Sequence, residues 1–146
     1  MQIDPTNPVV AHCAKGMEAE AQQQFDTAKT LFLRAWDERQ NDYDAAIAAH
    51  YLARHQASLE GTLHWNQRAL DHAMAAPAQQ VETFFASLYL NLAHSHEMLE
   101  QAAEARQYLA LAEDHLDALA DTPYTSVVRD GISRMRQRLE EAAMRA

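Results

Sequence analysis

The sequence predicts an all-α protein, and three observations carry that reading. Only three glycines (Gly16, Gly61, Gly131) and four prolines punctuate 146 residues, whereas hairpin-connected strands need turn residues at shorter intervals. Alanine recurs throughout, and it has the highest intrinsic helix preference. Near the C-terminus Val128, Ile132, Met135, Leu139 and Ala142 follow one another at helical steps, one apolar stripe on an otherwise charged cylinder.

Each element has its own signals. Thr6-Asn7-Pro8 opens a first helix reaching about Gln22, because Asn caps a helix and Pro suits its first position. Gln23-Gln24-Phe25-Asp26 interrupts it, with Asp26 as the cap of a second helix to about Arg39. Asn41-Asp42 starts a third, Tyr43 to about Gln56, and Ser58 caps a fourth, Leu59 to about Ala75. Pro77 opens a long fifth helix reaching Leu99, and Ala102 to Leu119 form a sixth. Asp121-Thr122-Pro123 breaks the chain before a last helix, about Tyr124 to Met144. The short connections imply antiparallel neighbours paired as hairpins.

Charge narrows the function classes. The net charge is −9. From Met1 to Val128 there are 18 acidic and 7 basic residues, a balance of −11, while the remaining residues carry 5 basic and 3 acidic. An acidic body repels phosphate backbones, so no nucleic-acid partner is expected. The basic residues of the last helix read as a solvated face. A single cysteine, Cys13, rules out an internal disulfide and suits a reducing compartment. The first residues lack a positive region and an apolar run, and no stretch is long and apolar enough to span a membrane. The expectation is a cytoplasmic protein without a membrane partner.

The hairpins repeat. Gly16, Ala28, Phe32 and Ala35 stand at offsets of 12, 4 and 3, as do His50, Thr62, Asn66 and Ala69, and again Ala93, Ala105, Leu109 and Ala112. The second set is displaced by 34 residues and the third by a further 43. Small residues recur where paired helices cross closely, and larger ones where the next hairpin packs. The longer interval implies a longer helix or loop around Ala75 to Glu82.

The displacement of 34 and the Gly…Ala…Phe…Ala pattern resemble the tetratricopeptide repeat. The match is best over Val9–Asp42, and good around Asn91-Leu92-Ala93 and Glu104-Ala105-Arg106 with Tyr108. The middle unit departs at His50, Thr62 and Asn66. The runs Ala49–Gln56, Trp65-Asn66, Ser87–Leu92 and Pro123-Tyr124 are similar to those of small stand-alone bacterial proteins of this repeat type. The resemblance implies an α-α superhelix of three hairpins with a C-terminal capping helix, a single domain over 1–146. Its repeats fall at about 9–42, 43–76 and 78–119, with the cap at about 124–144. It also implies a concave groove that binds a protein or peptide, as a scaffold or adaptor.

Carried onto this chain, the groove positions are Cys13, Met17 and Glu20, then Asp44, Tyr51, Arg54 and His55, then Ser87, Leu90, His94 and Glu97. Tyr51 with His55, and His94 with Glu97, share helix faces. Those same side chains also read as ordinary contacts between repeats. An alternative site is a small-molecule or metal pocket between the second and third hairpins, from His50, Tyr51, Arg54, His55, Tyr89, Asn91, His94 and Glu97. Arg54 is the one base a groove of this type would need in numbers to clamp a C-terminal carboxylate.

Chemistry has little purchase here. No phosphate loop, nucleophile elbow or Cys-x-x-Cys is present, so neither enzyme activity nor a cofactor is expected. His96-Glu97-Met98-Leu99-Glu100 is a near miss to His-Glu-x-x-His, with Glu where the second ligand belongs. His64, His72 and His115 read as scattered solvent-facing residues. Cys13 reads as a packed apolar residue, and Trp36 and Trp65 as packing or groove-rim residues. Three repeats leave large end surfaces, which makes a homodimer the third expectation.

Overall fold

Matching asparagine caps start the first helices of the first two hairpins. In the computed structural model, which describes residues 4 and 6–145, helix α1 (Pro8–Ala21) begins at Asn7, whose side chain accepts from Val9 N at 2.9 Å. Helix α3 (Asp42–Leu52) begins at Asn41, whose Oδ1 accepts from Asp44 N at 2.8 Å. The reading of the first residues, including Met1–Ile3 and Pro5, as no signal peptide lies outside the described residues. The remaining helices are α2 (Phe25–Asp37), α4 (Leu59–Ala75), a short α5 (Ala78–Val81), α6 (Phe85–Met98), α7 (Ala102–Asp117) and α8 (Pro123–Arg145). Among the described residues every regular element is helical.

The helices pack in adjacent pairs, α1 with α2, α3 with α4 and α6 with α7. Their starts keep the displacements of 34 and 43: Pro8, Asp42 and Phe85 for one series, Phe25, Leu59 and Ala102 for the other. The extra residues of the longer interval hold α5 and the turn after it. Packing groups the chain into two compact units, one up to Glu82 and one from Thr83 on. No helix among the described residues is long and apolar enough to cross a membrane.

In the first unit, close approach of α1 and α2 depends on Gly16. A Cβ there would lie 2.7 Å from Cζ and 2.8 Å from Cδ1 of Phe32. Phe32 is fully buried beside Ala28 and Ala35, which are equally so; sealing such a ring from water stabilises by about 2–3 kcal/mol. Its ring stacks on Tyr51 of α3, with centroids 5.1 Å apart at 12°, and this places α3 over the first hairpin. In the second unit, α8 covers α6 and α7 with Val128, Ile132, Met135 and Leu139. Ala142 is exposed, so the buried stripe ends one step earlier than the sequence suggests.

Several boundaries differ from the sequence reading: α2 ends at Asp37 rather than about Arg39 and α7 at Asp117 rather than Leu119, and four further differences have visible causes or consequences. The long fifth helix is broken at Glu82-Thr83-Phe84. The side chains of Val81 and Phe84 on either side of that turn are both buried, and the Thr83 carbonyl, freed from the helix, accepts from Tyr124 Oη at 3.2 Å. The third helix stops at Leu52 and tightens into a 3-10 turn over Ala53–His55, where Gln56 Nε2 caps the Leu52 carbonyl at 2.8 Å. Asp26 lies inside the first turn of α2 rather than capping it, because α1 ends in a left-handed Gln23 (φ 61°) that delivers Gln24 as the cap residue. Lastly, α8 starts at Pro123 and runs to Arg145, one residue longer than expected at each end.

Candidate functional site

Along α1, Val10, Cys13, Ala14 and Met17 recur at helical steps, and along α3 Tyr43, Ile47 and Tyr51 do the same. Packing α1 against α3 faces these two rows, and they line a cleft of about 150 Å³. It is an apolar slot with two phenol rings and one thiol in its walls. Met17 is 46% exposed and so stands at the mouth.

Polar clamps hold both ends of the slot. At one end Asn7 Nδ2 donates to Asp44 Oδ1 at 2.8 Å, while Asp44 Oδ2 accepts from Gln40 N at 3.0 Å. At the other, Glu20 of α1 accepts from Arg54 Nη2 at 2.7 Å and pairs with His55 Nε2 at 2.8 Å. Glu20 and Arg54 stand 34 positions apart in the chain and bond directly, and Met17 and Tyr51, at the same displacement, line one cleft. The Arg54 guanidinium also lies over the Tyr51 ring, 4.8 Å from its centroid, and His50 meets the same ring edge-on at 4.9 Å.

The electrostatics of the slot disfavour covalent chemistry. Burial pushes the Cys13 thiol up to about 12, so it stays protonated and is a poor nucleophile. Burial also raises Tyr51 above the ordinary phenol range. His50 is pushed down to about 4, first by burial and then by the Arg54 charge, which keeps it neutral near pH 7.

The predicted site residues divide between the two units. Met17 and Tyr51 line the slot, while Glu20, Arg54 and His55 are occupied with one another at its end. Asp44 is buried and held by Asn7 and Gln40, so it is no groove-facing acid. In the second unit Glu97 takes a two-pronged pair from Arg138, at 2.9 and 3.1 Å. Ser87 Oγ shares a short hydrogen bond with Tyr124 Oη. His94 is exposed and Asn91 is half-buried.

Several histidines are more engaged than the sequence suggests. His72 bonds Asp42 at 2.8 Å and meets Trp36 edge-on, and His115 packs against Phe85 and Tyr89. His96 stacks on Tyr108 and bonds Gln101 at 2.7 Å. Among the described residues no three His, Cys, Asp or Glu side chains are grouped to hold a metal ion.

Sequence reasoning missed Val10, Ala14, Tyr43 and Ile47 as lining residues. The signal was present in their steps of three and four, but both rows also fit a plain core stripe. No protein-family model, no curated protein and no solved structure matches this chain.

Proposed function

We propose that this protein is a non-catalytic peptide-binding scaffold of the tetratricopeptide-repeat type, which takes an apolar side chain of a partner segment between α1 and α3. The observation that carries the reading is the apolar slot walled by Met17 and Tyr51, which fall on the groove positions of consecutive repeats. An apolar cavity of about 150 Å³ accepts a group the size of benzene, so a Leu, Met or Phe side chain is the natural occupant. The clamps at both ends support the role, because a slot held open in advance binds with less ordering cost. The acidic body, at −9, opposes a phosphate backbone as the alternative polymer.

Selection from a random peptide library, followed by anisotropy titration of the enriched peptides, tests this. Enrichment of segments with one large apolar residue is expected, with affinity reduced roughly tenfold or more by Met17→Asp or Tyr51→Ala, since buried anchors dominate such interfaces. Val127→Ala, far out on the surface of α8, serves as the neutral control. A library that yields no binder, or binders indifferent to Met17→Asp, removes the reading.

A further inference from the structure

A second surface stands on the other pair of helices in the first unit. The sequence places Trp-x-x-Arg twice, as Trp36 with Arg39 and as Trp65 with Arg68. Three residues apart on a helix, or on its frayed end, each pair shares one face. In the fold the two pairs converge. The indole rings meet edge-on, 5.0 Å apart at 90°. Arg39 Cζ lies 3.9 Å from the Trp36 centroid, and Arg68 Cζ lies 4.4 Å from Trp36 and 4.7 Å from Trp65. Both indoles are half-buried and neither belongs to the core.

What sets these two guanidiniums apart is that both lie over indole rings; the lack of a carboxylate partner they share with Arg34, Arg106, Arg134 and Arg145 among the described residues. Arg54, Arg129, Arg136 and Arg138 each meet a carboxylate. Among the described residues Arg39 and Arg68 meet none, although acids outnumber bases 21 to 12. Arg39 spends one N–H on the Trp36 carbonyl, at 2.8 Å. Stacking uses the face of a guanidinium and leaves its in-plane N–H fork for a planar acceptor, which a carboxylate matches with two bonds. A cleft of about 400 Å³ runs beside Arg39, along Gln40, Asn41 and Asp42 to His72. Its one acid, Asp42, is bonded to His72.

We propose that this face binds an acidic peptide segment of a partner protein, its carboxylates received by Arg39 and Arg68 and its apolar residues laid on Trp36 and Trp65. Trp and Arg are the residue types that most often dominate protein interfaces. The ligand is short and its charge is local. At physiological salt fields fade over about 8 Å, so a few carboxylates at the two guanidiniums meet chiefly the near acids, of which Glu38 is paired with His12 and Asp71 bonded to Gln67, and escape the more distant part of the chain's negative field. A long phosphate polymer does not. The surface uses α2 and α4, whereas the slot proposed above uses α1 and α3, so one fails without the other.

The test uses the intrinsic emission of the full chain, since its two tryptophans are both in this cluster. A synthetic Glu/Leu peptide without tryptophan is titrated in, alongside its Gln/Leu counterpart and a single-stranded oligonucleotide. The Glu peptide is expected to change the emission saturably, and the other two are not. Arg39→Gln with Arg68→Gln is expected to weaken binding roughly tenfold or more, and the double Arg→Lys variant also weakens it, because an ammonium lacks the fork. Far-UV circular dichroism and unchanged binding of a slot-selected peptide show that the variants remain folded. Equal binding by the double Gln variant, equal response to the Gln peptide, or no response at all overturns the proposal. So does preference for the oligonucleotide, or an emission change produced by raising protein concentration alone, which points to a second copy as the occupant.

Discussion

Replacing Gly16 by Ala sets two opposing effects against each other, and the structure decides the sign. In a helix interior Ala is favoured over Gly by about 1 kcal/mol, so a helix considered alone predicts stabilisation. The added methyl, however, would overlap Cε1 of the Phe32 ring and lie 2.7 and 2.8 Å from its Cζ and Cδ1, and carbon atoms prefer about 3.5–4.0 Å. The ring must retreat by about 1 Å. It has little room, being fully buried and pressed against Tyr51 and the His55 ring at 5.4 Å. Overpacking of this kind costs about 1–3 kcal/mol. The net expectation is destabilisation by about 1 kcal/mol, or a melting temperature lower by about 2–4 °C for a chain of this size.

Urea and thermal denaturation followed by circular dichroism measure the change. The informative comparison repeats Gly16→Ala in a Phe32→Leu background, where the colliding ring atoms are gone. There the substitution should turn stabilising, because only the helix preference remains. Gly131→Ala is the internal contrast. Its methyl meets only Leu90 Cδ2, at 3.0 Å, the free end of a flexible side chain, so a gain of about 0.5 kcal/mol is expected. A Gly16→Ala protein as stable as the native one in both denaturations, with no sign change in the second background, refutes the packing argument.

Two further expectations concern the backbone and a half-buried histidine. Gln23 and Glu100 both adopt φ of 61° just after α1 and α6, a left-handed conformation that costs a side chain about 1 kcal/mol. Gln23→Gly and Glu100→Gly should each raise the urea midpoint by the equivalent of about 0.5–1 kcal/mol, and a lowered midpoint in both would exclude strain at these turns. His50, with a folded value of about 4 against 6.5 unfolded, leaves the unfolded state holding more protons between those values. Stability is therefore full above pH 6.5 and declines as pH falls towards 4, by up to about 3 kcal/mol. His50→Gln should flatten that acid limb in urea midpoints measured from pH 7 to 4.5, and parallel limbs for variant and native protein would show that His50 is not the group responsible.

Most of the helical framework was legible locally. Asn41 and Ser58 cap by the side-chain bonds their residue types offer, 2.8 Å to Asp44 N and 3.0 Å to Gly61 N, and the repeat offsets land on buried positions such as Ala28, Ala69 and Ala105. These features depend on near neighbours in the chain, which periodicity and capping rules describe. The break at Glu82–Phe84 was not legible, because no glycine or proline marks it and the bond to its carbonyl comes from Tyr124, 41 residues away.

The same division holds for function. By itself the sequence determined an all-α chain, its paired helices and their recurrence, because helix formation and the spacing of small residues are short-range properties. Only the tertiary structure decided that Glu20 is consumed by Arg54 and His55, that Met17 and Tyr51 instead face an open slot, and that two Trp-x-x-Arg pairs meet. The physical reason is that a side chain's availability depends on which partner reaches it first. That partner lies 34 or 35 residues away for Glu20, a distance at which pattern names candidates and only packing chooses among them.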